Sequence, residues 1–209
     1  MKRKFIALLM AVAAISGEAQ ITTDSLRDGD LIFFVNPEGN AITQVTATRK
    51  DYPVDHVAIF HRSESHTPQV IEAVHRGVSI TPMDSLLKDA ARHDTPTLLV
   101  GRVNIPFDTV GTLQRAFARL GKPYDFVYGA DDEAFYCSEL VQKSYVTAGG
   151  QPVFKTIPMS FSTEDGTLLP YWKDYYEKRG LPVPEGEPGT NPANQSRDPH
   201  VTILGFIKK

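Results

Sequence analysis

Three ionisable side chains are placed where chemistry can be built. Cys137 opens a helix-like run, CSELVQKSYVTAGG, while His56 and Glu72 lie inside strand-like apolar runs, VDHVAIF and QVIEAVH. A buried charge must find a partner or be neutralised, so these residues are candidates for one another. If the two strands are neighbours, Glu72 can accept the N–H of one ring nitrogen of His56. That fixes the tautomer and turns the other nitrogen toward a third group. The start of the Cys137 helix supplies it. Unpaired N–H groups and the macrodipole at a helix N-terminus favour an anion, and the same N–H groups could hold the oxyanion of a tetrahedral intermediate. Nucleophile, base and orienter for acyl transfer are then all present. Each residue also has a plainer reading: an inert buried cysteine, a satisfied core histidine, and a carboxylate paired with Arg76 or Arg62.

The elements that must position them can be read from the same pattern. Asp28-Gly29-Asp30 is a turn signal leading into a strand, Leu31 to Val35. Further strands are expected over Val54 to Arg62, Gln69 to His75, Thr97 to Val103 and Val201 to Ile207, with a short one at Gly77 to Ile80. Period two puts Val54, His56, Ala58 and Phe60 on one face of their strand and Asp55, Val57 and Ile59 on the other. Both faces are largely apolar, which calls for cover on both sides. A short helix is expected to about Arg92, with Thr81 as N-cap and Pro82 as first helical residue. A second is capped by Asp108, carries Val110, Leu113, Phe117 and Leu120 on one face, and ends at Gly121. The third runs from Cys137 to Gly149-Gly150, with Leu140, Val141, Tyr145 and Ala148 as its stripe. Ala41 to Arg49 has only weak helical spacing. From Gln151 the chain reads as irregular, with an aromatic cluster at Tyr171, Trp172, Tyr175 and Tyr176 that is expected to pack. The proline-rich stretch Leu181 to Pro199 reads as a tethered loop, either a lid or wall over the site or a solvated connector.

The first 19 residues, with Lys2, Arg3 and Lys4 before an apolar run from Phe5 to Ile15 and small residues at Gly17 and Ala19, have the form of a secretory signal peptide. The apolar run is too short for a membrane span. Residues 20–209 then form a single domain, expected to be exported to the periplasm or outside the cell. It carries 19 basic against 24 acidic residues, a net of five negative charges, which argues against a nucleic-acid partner. With one cysteine there is no internal disulfide, so the fold rests on its core. His61, Glu64, His66 and His75 match no established metal-ligand spacing, and the chain holds no phosphate loop, dinucleotide fingerprint or Gly-x-Ser-x-Gly elbow.

The ordered motifs GDLIFF, DHVAIF, VIEAV with GVSITPMDSLL, GKPYDFVY and FYCSELVQKSY resemble the YiiX/YebB-like group of permuted papain-fold hydrolases within the NlpC superfamily. The resemblance covers Gly29 to Ala148. It implies an α+β class with a permuted papain-like fold: an antiparallel half-barrel sheet of five or six strands with the cysteine-bearing helix packed against it. It also implies Cys137 as nucleophile, His56 as general base and then acid, and Glu72 as orienter. Tyr124 and Ser138 are assigned to substrate binding or oxyanion support, no cofactor or metal is needed, and the tail from Tyr171 roofs the pocket. The implied activity is hydrolysis of peptide or amino-acid amides, with cell-wall peptides as possible substrates. Two alternatives stay open: acyl transfer or cleavage of lipid amides and esters by the same thiol, and a non-catalytic binding module.

Overall fold

The computed structural model describes residues 19–46, 52–94 and 97–208. The expected signal peptide, apart from Ala19, lies outside these residues, as does the end of the weakly helical segment after Thr46. The chain begins with β1 (Gln20–Ile21), β2 (Leu31–Val35), β3 (Val54–Arg62), β4 (Pro68–Val74) and β5 (Gly77–Pro82). Then come α1 (Met83–Ala90), β6 (Leu98–Val103), α2 (Thr109–Phe117) and α3 (Cys137–Ser144). The C-terminal part adds β7 (Ile157–Pro158), α4 (Pro170–Glu177), β8 (Pro188–Gly189), α5 (Pro192–Arg197) and β9 (Val201–Ile207).

Seven strands make one sheet in the order β1-β9-β6-β2-β3-β4-β5, antiparallel except where β1 joins β9. The long runs of Val, Ile, Leu and Phe are explained by cover on both faces. Leu31, Phe33, Val57, Ile59, Ile71 and Leu99 pack with Leu140 and Val141 of α3. On the opposite face Ile32, Ala58, Phe60, Val70 and Val100 pack with Met83, Leu86 and Ala90 of α1. A third cluster, Met159, Phe161, Trp172 and Tyr176, forms around α4. Among the described residues no helix is long and apolar enough to cross a membrane.

Two departures from regular pairing shape the site. Phe34 pairs with His56 but Val35 pairs with Val54, so Asp55 is an extra residue in the ladder. Val54 therefore joins the core of Val57 and Ile59 instead of sharing a face with Ala58 and Phe60 as strict alternation requires. The β3–β4 ladder covers only Ile59–Arg62 against Pro68–Ile71, whereas β4 stays with β5 as far as Val74. Beyond Ile59 the strands part, and His56 and Glu72 lie in that parted stretch.

The helices correct several expectations. Pro82, not Thr81, is the residue before α1, because Thr81 stays in β5 and turns its hydroxyl to Glu72. Asp108 does cap α2, accepting from Gly111 N–H at 2.9 Å. Its buried face, however, is Gly111, Thr112 and Ala116, while Val110 is 69% exposed. Small residues let α2 approach α3, where Arg115 Nε donates to the Ser144 carbonyl at 2.7 Å. The third helix stops at Ser144, five residues before Gly149. Tyr145 turns extended there and buries its ring, and its hydroxyl donates to Gly29 O at 2.9 Å. The segment after Gln151 is not irregular, since α4 and α5 lie within it.

Asp30 joins β2 to β6. Its carboxylate is 1% exposed, accepts from Arg102 Nε at 2.7 Å and from the terminal guanidinium nitrogen at 2.6 Å, and also takes the N–H of Arg27. Replacing it by Asn leaves a partly buried guanidinium without its counter-charge. We expect Asp30→Asn to cost about 2 kcal/mol, below the figure for a fully buried pair because Arg102 keeps some water contact. A lowered urea midpoint with unchanged slope is the readout.

Candidate active site

Glu72 is 4% exposed and could not stay ionised there alone. Its Oε2 lies 2.8 Å from His56 Nε2, and its Oε1 accepts from the Thr81 hydroxyl. Arg76 stands 3.8 Å from Oε1 and donates to Thr81 Oγ1 at 2.6 Å. Burial pushes the Glu72 carboxyl up, but the bonds to His56 and Thr81 and the charge of Arg76 outweigh it and hold the group below its usual range. The expected alternatives for Glu72 resolve into one network in which the imidazole is the closer partner and Arg76 the outer one.

His56 is held on a second side by Phe34, edge-on at 4.7 Å between ring centres. With Nε2 turned to Glu72, the ring is also close enough to Cys137 for the sulfur to act on its protonation. Burial pulls the imidazole pKa down. The charge of Cys137, with the charge and hydrogen bond of Glu72, reverses this and pushes it up to about 10. The three residues separated by 16 and 65 positions in the chain, Glu72 from His56 and Cys137 from Glu72, are thus linked in series.

Cys137 is the first residue of α3, and the residue before it, Tyr136, is extended with no side chain capping the helix. The first N–H groups therefore remain open toward the sulfur. The thiol is 6% exposed and lines a cavity of about 60 Å³ with Tyr124, Tyr128, Ser138, Thr190 and Asn191. Burial together with the Cys137 charge holds the Tyr124 phenol protonated far above the usual range. Ser138 lies with its hydroxyl 3.0 Å from Thr190 Oγ1, and its carbonyl accepts from Gln195 Nε2 at 2.7 Å.

Several residues escaped the sequence reading. Thr81 was legible only as a helix cap. Tyr128 lies in the left-handed region, φ 55°, and nothing in GKPYDFVY marks it. Its turn is held by Asp125, which accepts from Val127 N–H at 2.8 Å. Lys143 pins the following loop through Asp132 at 2.7 Å and pairs with Glu139 of its own helix at 2.9 Å. Thr190 and Gln195 belong to the proline-rich stretch, which packs against Tyr136 and Ser138 and so is a wall of the cavity, not a solvated connector. The aromatic cluster divides: Trp172 and Tyr176 pack inside, while Tyr171 is 53% exposed and faces an adjoining groove. The four residues weighed as a metal cluster are scattered, with His61 against Phe117 and His75 against Tyr124.

Comparison with known proteins agrees with the architecture. Residues 25–205 match the model of the family described as permuted papain-like amidase enzymes, YaeF/YiiX, C92 family. The uncharacterised protein YiiX of Escherichia coli strain K12 is 30% identical over 151 residues, 71% of this chain and 68% of its own length. A crystal structure of yiiX from Escherichia coli O157:H7, described as a metalloprotein, superposes with a TM-score of 0.67 at 27% identity, covering 88% of this chain and 98% of that one. Among the described residues here, no three His, Cys, Asp or Glu side chains gather so as to hold a metal ion. Fold, motif order and family match agree, and the chain belongs to the permuted papain-like amidases of the C92 family.

Proposed function

We propose that this chain is an exported cysteine amidase in which Cys137, His56 and Glu72 act as nucleophile, acid–base and orienter. The observation that carries the reading is His56 hydrogen-bonded to a buried carboxylate and close enough to Cys137 to feel its charge. Membership of an amidase family supports a cysteine-hydrolase type of function.

In this mechanism the Cys137 sulfur attacks the carbonyl carbon of the amide. The oxyanion forms against the open N–H groups at the start of α3, with the protonated Tyr124 hydroxyl lining the same cavity. His56 gives its proton to the departing nitrogen, the C–N bond breaks, and an acyl thioester remains. Water then yields a proton to His56 and attacks the thioester, releasing a carboxylate and restoring the thiolate. Glu72, kept ionised by Thr81 and Arg76, holds the ring and balances the imidazolium. Peptides and amino-acid amides, cell-wall peptides among them, are the substrates in view. Export rests on the form of residues 1–19.

Two measurements test this. Iodoacetamide should alkylate Cys137 at pH 7 at least about tenfold faster in the wild-type protein than in His56→Ala. Equal rates would remove the ion pair from the mechanism.

The second concerns pH. Because the folded-state pKa of His56 lies above its ordinary 6.5, the imidazolium's contribution to stability is complete below that value and is lost as pH rises through about 10. Hydrolysis should decline over the same alkaline limb, since the acid that protonates the leaving amine disappears. Glu72 has the opposite sign: its contribution is present above the usual carboxylate range and is lost as pH falls through its lowered folded value. Glu72→Gln should lower kcat by at least about 10²-fold and move the alkaline limb to lower pH. An unmoved limb would mean that Glu72 does not act through the imidazole.

A further inference from the structure

Two open clefts meet at the cysteine cavity, and they differ in chemistry. On one side a groove of about 550 Å³ shares Ile42, Tyr124 and Tyr128 with the cavity. It runs out between Phe126, Tyr171 and Tyr175. Among its described lining residues there is no Asp, Glu, Lys or Arg, and the exposed His75 ring stacks on Tyr124 at 5.7 Å. A charged substituent placed there would lose water without gaining a partner. A flat or aliphatic neutral group would bury apolar area against six aromatic rings.

On the other side a cleft of about 300 Å³ shares Thr190 and Asn191 with the cavity. Lys155 and Arg197 line it, both on the exposed side of the chain. Among the described residues neither side chain has an ion-pair or hydrogen-bond partner. The cleft's single acid, Asp198, already accepts the backbone N–H of His200 at 2.8 Å. Asn194 adds a side-chain amide. Two unpaired cations beside amide donors, in a chain of net negative charge, form a place for a carboxylate.

We propose that the scissile amide spans the cavity with a neutral apolar acyl group in the aromatic groove and a free carboxylate in the Lys155/Arg197 cleft. This rests on the hydrolase reading above and narrows it. The substrate class is the N-acyl amino acid, or a short apolar peptide cut next to its C-terminus. Hydrolysis adds one water across the C–N bond, giving a carboxylic acid from the acyl side and an amino acid that keeps its own carboxylate.

Phenylacetylglycine, its carboxamide and acetylglycine provide the test. In the wild-type protein kcat/KM for phenylacetylglycine should exceed that for the carboxamide by about tenfold, expressed in KM. Arg197→Glu combined with Lys155→Ala should bring the ratio of acid to carboxamide to one or below. Tyr171→Ala should lower the ratio of phenylacetylglycine to acetylglycine. Binding of phenylacetylglycine and its carboxamide to Cys137→Ala, followed by calorimetry, separates two kinds of failure. Tighter binding of the acid without any wild-type turnover of the three compounds keeps the two clefts and sinks the hydrolase reading. Turnover that does not distinguish acid from carboxamide, or a preference that survives in the charge variant, overturns the cleft assignment alone.

Discussion

The site depends on keeping one carboxylate ionised inside a sheet. Glu72 sits in the middle of β4, where hydration is lost, and its charge persists because three neighbours answer it: the His56 ring, the Thr81 hydroxyl and, further out, Arg76. Removing the imidazole would take away its nearest counter-charge at a position that the surrounding packing cannot release to water. The strands part beyond Ile59 and Ile71, and this gives the trio room. A fully laddered β3–β4 pair would leave no space for the end of α3 to approach the imidazole. The interruption of the ladder and the buried charge are two sides of the same arrangement.

A second constraint fixes the helix that carries the sulfur. Tyr145 ends α3 and bonds to Gly29 at the start of β2, while Arg115 of α2 holds the last carbonyl of the same helix. At the other end Ser138 and Tyr136 are tied to Thr190 and Gln195. Cys137 is therefore positioned from both ends of a two-turn helix. This is the kind of support that a reaction geometry with little tolerance requires.

Much of this was legible in the amino-acid sequence because it follows from short-range patterning. The strand runs, the Asp108 cap and the Cys137 helix start are local, and the apolar surroundings of His56 and Glu72 announced that both needed partners. What stayed hidden depends on distance. Thr81-Pro82 has the form of a helix start, yet the long-range demand of Glu72 keeps Thr81 in the strand. Val110, Phe117 and Leu120 look like a core stripe, but α2 uses Gly111 and Ala116 because close approach to α3 matters more than bulk. The bulge at Asp55 cannot be seen in VDHVAIF itself; it exists only in the register with β2. The proline-rich stretch read equally as a wall or a connector because its bonding partners, Tyr136 and Ser138, are more than 50 residues away.

The wall formed by that stretch carries a temporal consequence. Thr190, Asn191 and Pro192 border the cysteine, and β9, which follows them, lies between β1 and β6 in the sheet. A nascent chain that has emerged as far as Tyr145 already holds the sulfur, the imidazole and the carboxylate, but neither the Thr190 to Pro192 wall of the cavity nor that strand of the sheet. The enclosed cavity is assembled only when the stretch from Thr190 to β9 arrives, so a product terminated before it would expose its thiol without those surroundings.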